Sequence, residues 1–219
     1  MSATTAVRAE VLRRRIRLIV AATIGYNVVE AIVAIAAGSV ASSGALVAFG
    51  IDSTIEVLSA AAVAWQFTRR DPERWERPTL RVIAVAFFAL AVYVSASSAV
   101  ALTTGAAAAH SPVGIALTAL SVVVMPFLSF AERRAGAELG SATAVADSRQ
   151  TLICTYLSAA VLAGLVLNSA LGWWWADAVA GLVIALFAVR EGVEAWRGDA
   201  CATSVGMLLE DEADEHDDH

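Results

Sequence analysis

The sequence predicts an all-α, polytopic membrane protein with six transmembrane helices and both termini cytoplasmic. Three observations carry this expectation. Of 219 residues, 58% are apolar and only 16% charged, against about half and about a quarter in a soluble domain. Six apolar stretches, 15–38, 42–68, 79–104, 111–131, 141–168 and 172–190, are each near the roughly 20 residues that a helix needs to cross a bilayer. The arginines, finally, gather on alternate loops. Inside lipid only helices or closed barrels satisfy every backbone group. These stretches are too long and too continuously apolar for barrel strands of about ten alternating residues.

Each element is bounded by a legible break. Residues 1–14 form a cytoplasmic segment ahead of span one. That span exceeds an ordinary signal-peptide core and contains Asn27 and Glu30, so it reads as a retained helix. SVASSG (39–44) is a short polar turn before span two, and RRDPERWERP (69–78) a charged loop before span three. TTG with His110-Ser111-Pro112 separates spans three and four, ERRAGAELG (132–140) spans four and five, and Asn168 to Gly172 spans five and six. Residues 191–219 make an acidic cytoplasmic tail.

Charge sets the orientation. All 15 basic residues are arginine. They cluster before span one, in the second and fourth loops and after span six, and are absent from the first, third and fifth loops. The positive-inside rule then places both ends in the cytoplasm. Trp173, Trp174 and Trp175 fall at an outer boundary, and Trp65, Trp75 and Trp196 near inner ones. The net charge of −6 is largely the tail's: residues 210–219 hold seven of the 21 acids and no base. That tail reads as a solvated disordered segment, or as a weak metal collector through its carboxylates, His216 and His219. Two cysteines, Cys154 in a span and Cys201 in the tail, indicate no disulfide framework.

Charged groups near the bilayer centre cost about 2.5–3.5 kcal/mol each on insertion scales, so those present are the functional clues. Span one has Asn27 and Glu30, span two Asp52 and Glu56, span five Asp147, Arg149, Gln150 and Cys154. Asp52 and Glu56 stand four apart on one helix face, as do Gln150 and Cys154. A divalent cation would compensate the two carboxylates and accept their oxygens. An amide oxygen and a thiolate from a facing helix would bring the ligands to four, a number suited to tetrahedral zinc. At about 1.5 Å per residue, the two pairs share a depth if helix five starts near Glu138. Other readings stay open: Asp52 and Glu56 as a proton relay or as a structural ion pair with Arg149, and Cys154 as a small apolar packer. Asp147, Glu30 and Asn27 are pathway or proton-relay candidates, Glu30 equally a structural hydrogen-bond partner. Asp177 is expected to compensate the dipole of its own helix, and His110 to do nothing specific.

Together these features resemble the cation diffusion facilitator family of six-span divalent metal transporters. ALVAFGIDSTIEVLS (45–59) is similar to the family's second-span pattern, with Asp52 and Glu56 at the ligand positions. ADSRQTLIC (146–154) places Gln150 and Cys154 where the family commonly has histidine and aspartate, and Asp147 keeps a neighbouring acid. Phe49 replaces an aspartate common on span two. Asn27, Glu30, the Gly38-Ser39 turn and WADAVAGLVIA (175–185) are supporting matches.

The resemblance implies export of a divalent transition metal, Zn²⁺ or else Co²⁺ or Cd²⁺, by proton antiport in the cell (inner or plasma) membrane. The metal is substrate, and no resident cofactor is expected. The partners implied are metal ion, protons and lipid, with a homodimer through the helices and no nucleic acid. The chain's length implies the form without the family's C-terminal cytoplasmic domain.

The alternatives are a transporter of small organic cations, a non-transporting protein with a structural ion-pair network, and a membrane enzyme using Cys154 as nucleophile. An organic cation calls for an aromatic cage, and span two offers only Phe49. An enzyme would lack an intramembrane histidine and a substrate motif, so the chain is read as not an enzyme. Neither nucleotide-binding glycine motif occurs.

Overall fold

A computed structural model describes residues 3–67, 72–139 and 142–197. The described chain is helical apart from short turns: α1 (Ala3–Ala41), α2 (Gly44–Phe67), α3 (Pro72–Thr104), α4 (Pro112–Leu139), α5 (Ala142–Leu171) and α6 (Ala176–Arg197). The protein is an all-α, multi-pass membrane protein. Five helices have segments long and apolar enough to cross a bilayer: Arg14–Ala41, Gly44–Ala62, Arg77–Thr104, Pro112–Glu138 and Thr151–Leu171. The sixth, α6, is 22 residues long, with Asp177 near one end and Arg190, Glu191, Glu194 and Arg197 at the other.

Several helices outrun the expected spans at the arginine-rich end. α1 begins at Ala3, because residues 3–14 are mostly good helix formers in continuity with the apolar run. Leu12, Ile16 and Val20 of this extension and of the first apolar turns are buried together with Ala135. ERRAGAELG is therefore mostly helix and not a loop, since α4 continues through Leu139. There Arg8 of α1 forms an ion pair with Glu138 of α4. α3 likewise starts at Pro72, inside the segment expected as a charged loop. α6 carries on to Arg197, seven residues past the expected end.

The opposite ends are closed by turns that the sequence specifies. Ser43 caps α2, its Oγ accepting the Leu46 N–H at 3.1 Å, and Ser111 caps α4 through the Gly114 N–H at 3.1 Å with Pro112 at the first helical position. Gly105 (φ 71°) and Gly172 (φ 66°) stop α3 and α5 in the left-handed conformation. Their N–H groups return to Ala101 and Asn168 carbonyls at 3.0 and 3.1 Å, the single-bond glycine cap.

Packing places α2 at the centre, touching α1, α3, α5 and α6. α3 and α6 lie along each other, as do α4 and α5, and α1 lies against both α2 and α4. One apolar core joins Leu46 and Phe49 of α2, Phe87, Leu90 and Val94 of α3, Leu157, Val161 and Leu165 of α5, and Ile184 of α6. Outward the helices show large apolar side chains, among them Ile32, Val82, Phe127 and Leu186, as a lipid-facing surface requires. Small residues bring helices close, as expected where lipid removes the hydrophobic drive between them. A Cβ on Gly50 would lie 2.9 Å from Ile35 N and 3.0 Å from Ala31 O, so the backbones of α1 and α2 nearly touch there.

Candidate functional site

Polar side chains that would be costly in lipid are gathered inside the bundle, where α1, α2 and α5 converge. Glu56 of α2 is the hub. Cys154 Sγ, from α5, donates to Glu56 Oε1 at 2.7 Å. Asn27 Nδ2, from α1, donates to Glu56 Oε2 at 2.9 Å. Both donors are buried. Each carboxylate oxygen is thus met by a hydrogen from a different helix. Asp52, one turn before Glu56, is buried on α2, and it shares the interior with the carboxylates of Glu56 and of Glu30 on α1.

Glu30 anchors a second network beside the first. Its carboxylate accepts from Ser53 Oγ of α2 at 2.9 Å and from Ser121 Oγ of α4. Ser121 in turn pairs with the Tyr26 hydroxyl at 2.7 Å. Only 1% of Glu30 is exposed, so these hydroxyls are what stands in for water around it. The structural role considered for Glu30 is realised: the side chain ties α1, α2 and α4 together. The network also sits next to the site, since Ser53 follows Asp52 directly.

The four expected ligands are only partly assembled. Glu56 and Cys154 meet across α2 and α5. Asp52 is a turn away. Asp147, Arg149 and Gln150 belong to α5, but their side chains lie outside the described residues. Among the described residues, no three His, Cys, Asp or Glu side chains converge as a ready-made metal cage. The depth condition needs correction. α5 starts at Ala142, and Glu138 belongs to α4. The pairs align nonetheless: Cys154 lies twelve residues into α5 and Glu56 eleven from the end of α2, nearly equal rises at about 1.5 Å per residue.

Two residues at the other end of the bundle make bonds that the sequence did not suggest. Asp177 stands in the first turn of α6, as expected, and serves a second helix as well. It is buried, accepting from Ser43 Oγ at 2.5 Å and from Ala45 N at 3.4 Å, and so compensates the N-terminus of α2. Its place as the second residue of α6 hid this, because the partner lies 134 residues away. His110 is also engaged, its Nδ1 lying 2.6 Å from Ser169 Oγ. The sequence reading missed Glu191 as well, placing it in the tail just past Arg190. Continuation of α6 past Arg190 puts Glu191 on a helix that packs against α2, and the only signal was helical spacing beyond the apolar run. The acidic tail and Cys201 lie outside the described residues.

Comparison with known proteins agrees with the helical membrane fold. The sequence pattern of a cation efflux transmembrane domain matches residues 19–197. The cation-efflux pump FieF of Shewanella oneidensis is 35% identical over 106 residues, which are 48% of this chain and 34% of that pump. The matched segment spans about a third of that relative's length.

Proposed function

The chain belongs to the cation efflux family, and on that premise we propose that it exports a divalent transition-metal cation, Zn²⁺ or else Co²⁺ or Cd²⁺, in exchange for protons. The observation that carries this reading is the meeting of a half-buried carboxylate, Glu56, and a buried thiol, Cys154, across two helices. A carboxylate and a thiol make a mixed hard and soft donor set, which suits Zn²⁺, Co²⁺ and Cd²⁺ better than Mg²⁺ or Ca²⁺. Asp52 supplies a second carboxylate from the same face of α2. Gln150, four residues before Cys154, supplies an amide from α5.

Proton exchange follows from the chemistry of the donors. A thiol binds a cation as thiolate, so loading releases its proton and unloading takes one up. No histidine is required for that exchange. Lipid, protons and the metal ion are then the partners, and a homodimer formed through the transmembrane helices completes the proposal.

The test is flux into liposomes holding purified protein and a metal-sensitive dye, with an imposed pH gradient and a panel of divalent cations. Zn²⁺, Co²⁺ or Cd²⁺ should accumulate with proton counterflow. Asp52→Asn and Glu56→Gln should abolish flux in protein that still inserts, because neutralising a buried acid removes a desolvation cost. No flux of any transition metal through folded protein would overturn the reading. Loss of inserted protein in both variants would instead make the acids a structural pair.

A further inference from the structure

Asn27 has only half of its hydrogen bonding complete. The residue is 6% exposed. The amide nitrogen donates to Glu56 Oε2, but Oδ1, equally buried, has no partner. A buried carbonyl oxygen left unpaired is costly, and native interiors rarely tolerate one without a use for it. This one stands beside the carboxylate at the centre of the site, on a helix that contributes none of the ligands considered so far.

Resting on the cation-site reading above, we propose that Asn27 is a ligand that changes ends: N–H toward Glu56 when the site is empty, Oδ1 toward the cation when it is loaded. The carboxamide torsion of asparagine is broad and roughly two-fold, so the turn meets little intrinsic resistance. What selects the end is charge. With no cation, Oδ1 facing Glu56 Oε2 would set two acceptors against each other, and the N–H end wins. A cation between the two oxygens reverses the preference, because both are acceptors that it can use. The ligand set then holds Asp52, Glu56, Cys154 and the Asn27 oxygen, the last taking the amide place given above to Gln150, so that it is drawn from α1, α2 and α5. Occupancy is thereby felt by α1, which no pair on α2 and α5 could achieve alone.

Co²⁺, whose visible bands report its ligands, is the probe for purified full-length protein in detergent. The unaltered protein should give tetrahedral bands and a sulfur-to-cobalt band. Absence of both would sink the cation-site reading itself, a failure distinct from those that follow. Asn27→Leu, similar in volume but without oxygen, should lose at least about tenfold in affinity, with altered visible bands and the sulfur band kept. Asn27→Asp, which keeps an oxygen and loses the donor, should bind as well as the unaltered protein or better. Wild-type affinity and bands in Asn27→Leu would overturn the proposal while leaving the cation site standing. Equal weakness in Asn27→Asp and Asn27→Leu would also overturn it, reducing Asn27 to a donor that positions Glu56.

The unaltered chain offers a check free of folding defects. It has only two asparagines, Asn27 and Asn168, and Asn168 Nδ2 is committed to the Ala108 carbonyl in the turn beyond α3. With carbon-13 in both carboxamides, cation loading should lower one C=O stretch and leave the other in place. Two unmoved bands in metal-loaded protein would overturn the proposal.

Discussion

At the scale of single residues, the site's preference among metals turns on Cys154. Its sulfur is the soft donor among oxygens, so Cys154→Ser should weaken Cd²⁺ and Zn²⁺ by roughly tenfold to a hundredfold with less effect on the harder Mn²⁺. Competition among these ions in vesicles measures it, and unchanged selectivity would remove the sulfur from contact with the cation. Cys154→Asp should restore transport with a shifted preference. Two four-residue spacings suggested facing pairs on spans two and five but left Cys154 equally readable as an apolar packer, and it is the fold that brings its thiol to Glu56. The part played by Asn27 was not legible, because spacing within one helix says nothing about which neighbour an amide will meet. Asp177 was only half legible for the same reason. A carboxylate at a helix start reads as compensating its own helix's dipole, and only packing reveals that Ser43 and the start of α2 bond to it as well.

At the scale of elements, hydropathy found all six helices but placed several ends too early or too late. Membrane-spanning length is a property of lipid, whereas helix length is a property of backbone hydrogen bonding and tertiary packing. The extensions of α1 and α4 show the difference: Leu12, Ile16 and Ala135 bury one another beyond the apolar runs. Close approach between elements was likewise hidden. Gly50 reads as one more small residue, yet it is where the backbones of α1 and α2 come together. Gly50→Ala should cost about 1–3 kcal/mol by overpacking and weaken metal binding as well, because separating α1 from α2 draws Asn27 away from Glu56. Gly25→Ala, with nothing within 4 Å of the added Cβ, is the matched control and should leave both unchanged. Thermal unfolding and Co²⁺ titration of the two variants together test the point.

For the whole molecule, polar bonds fasten the end opposite the arginines. Asp177 joins α6 to α2, the Ala109 N–H joins the α3–α4 turn to Ala41 at 2.7 Å, and Asn168 joins α5 to that same turn. Asp177→Ala should cost about 1–3 kcal/mol, the usual penalty for stranding buried donors. Hydrogen exchange should show the loss first at the amides of residues 44–46. Protection unchanged there would mean that solvent or another group already serves the start of α2.

The three consecutive tryptophans between α5 and α6 bear on how such a bundle can move. Trp173, Trp174 and Trp175 are all partly exposed, and the rings of Trp173 and Trp175 stack at 5.2 Å. Indole rings settle at the headgroup level of a bilayer, so this hairpin is moored at a fixed height. A moored hairpin can rock about its attachment, but it cannot slide like a piston along the membrane normal. Cys154, midway along α5, and Glu191, in the last two turns of α6, then travel on arcs whose pivot is the tryptophan loop. Brominated lipids read indole depth directly: quenching of these tryptophans should stay constant between metal-free and metal-loaded protein, while distances measured between the arginine-rich ends change.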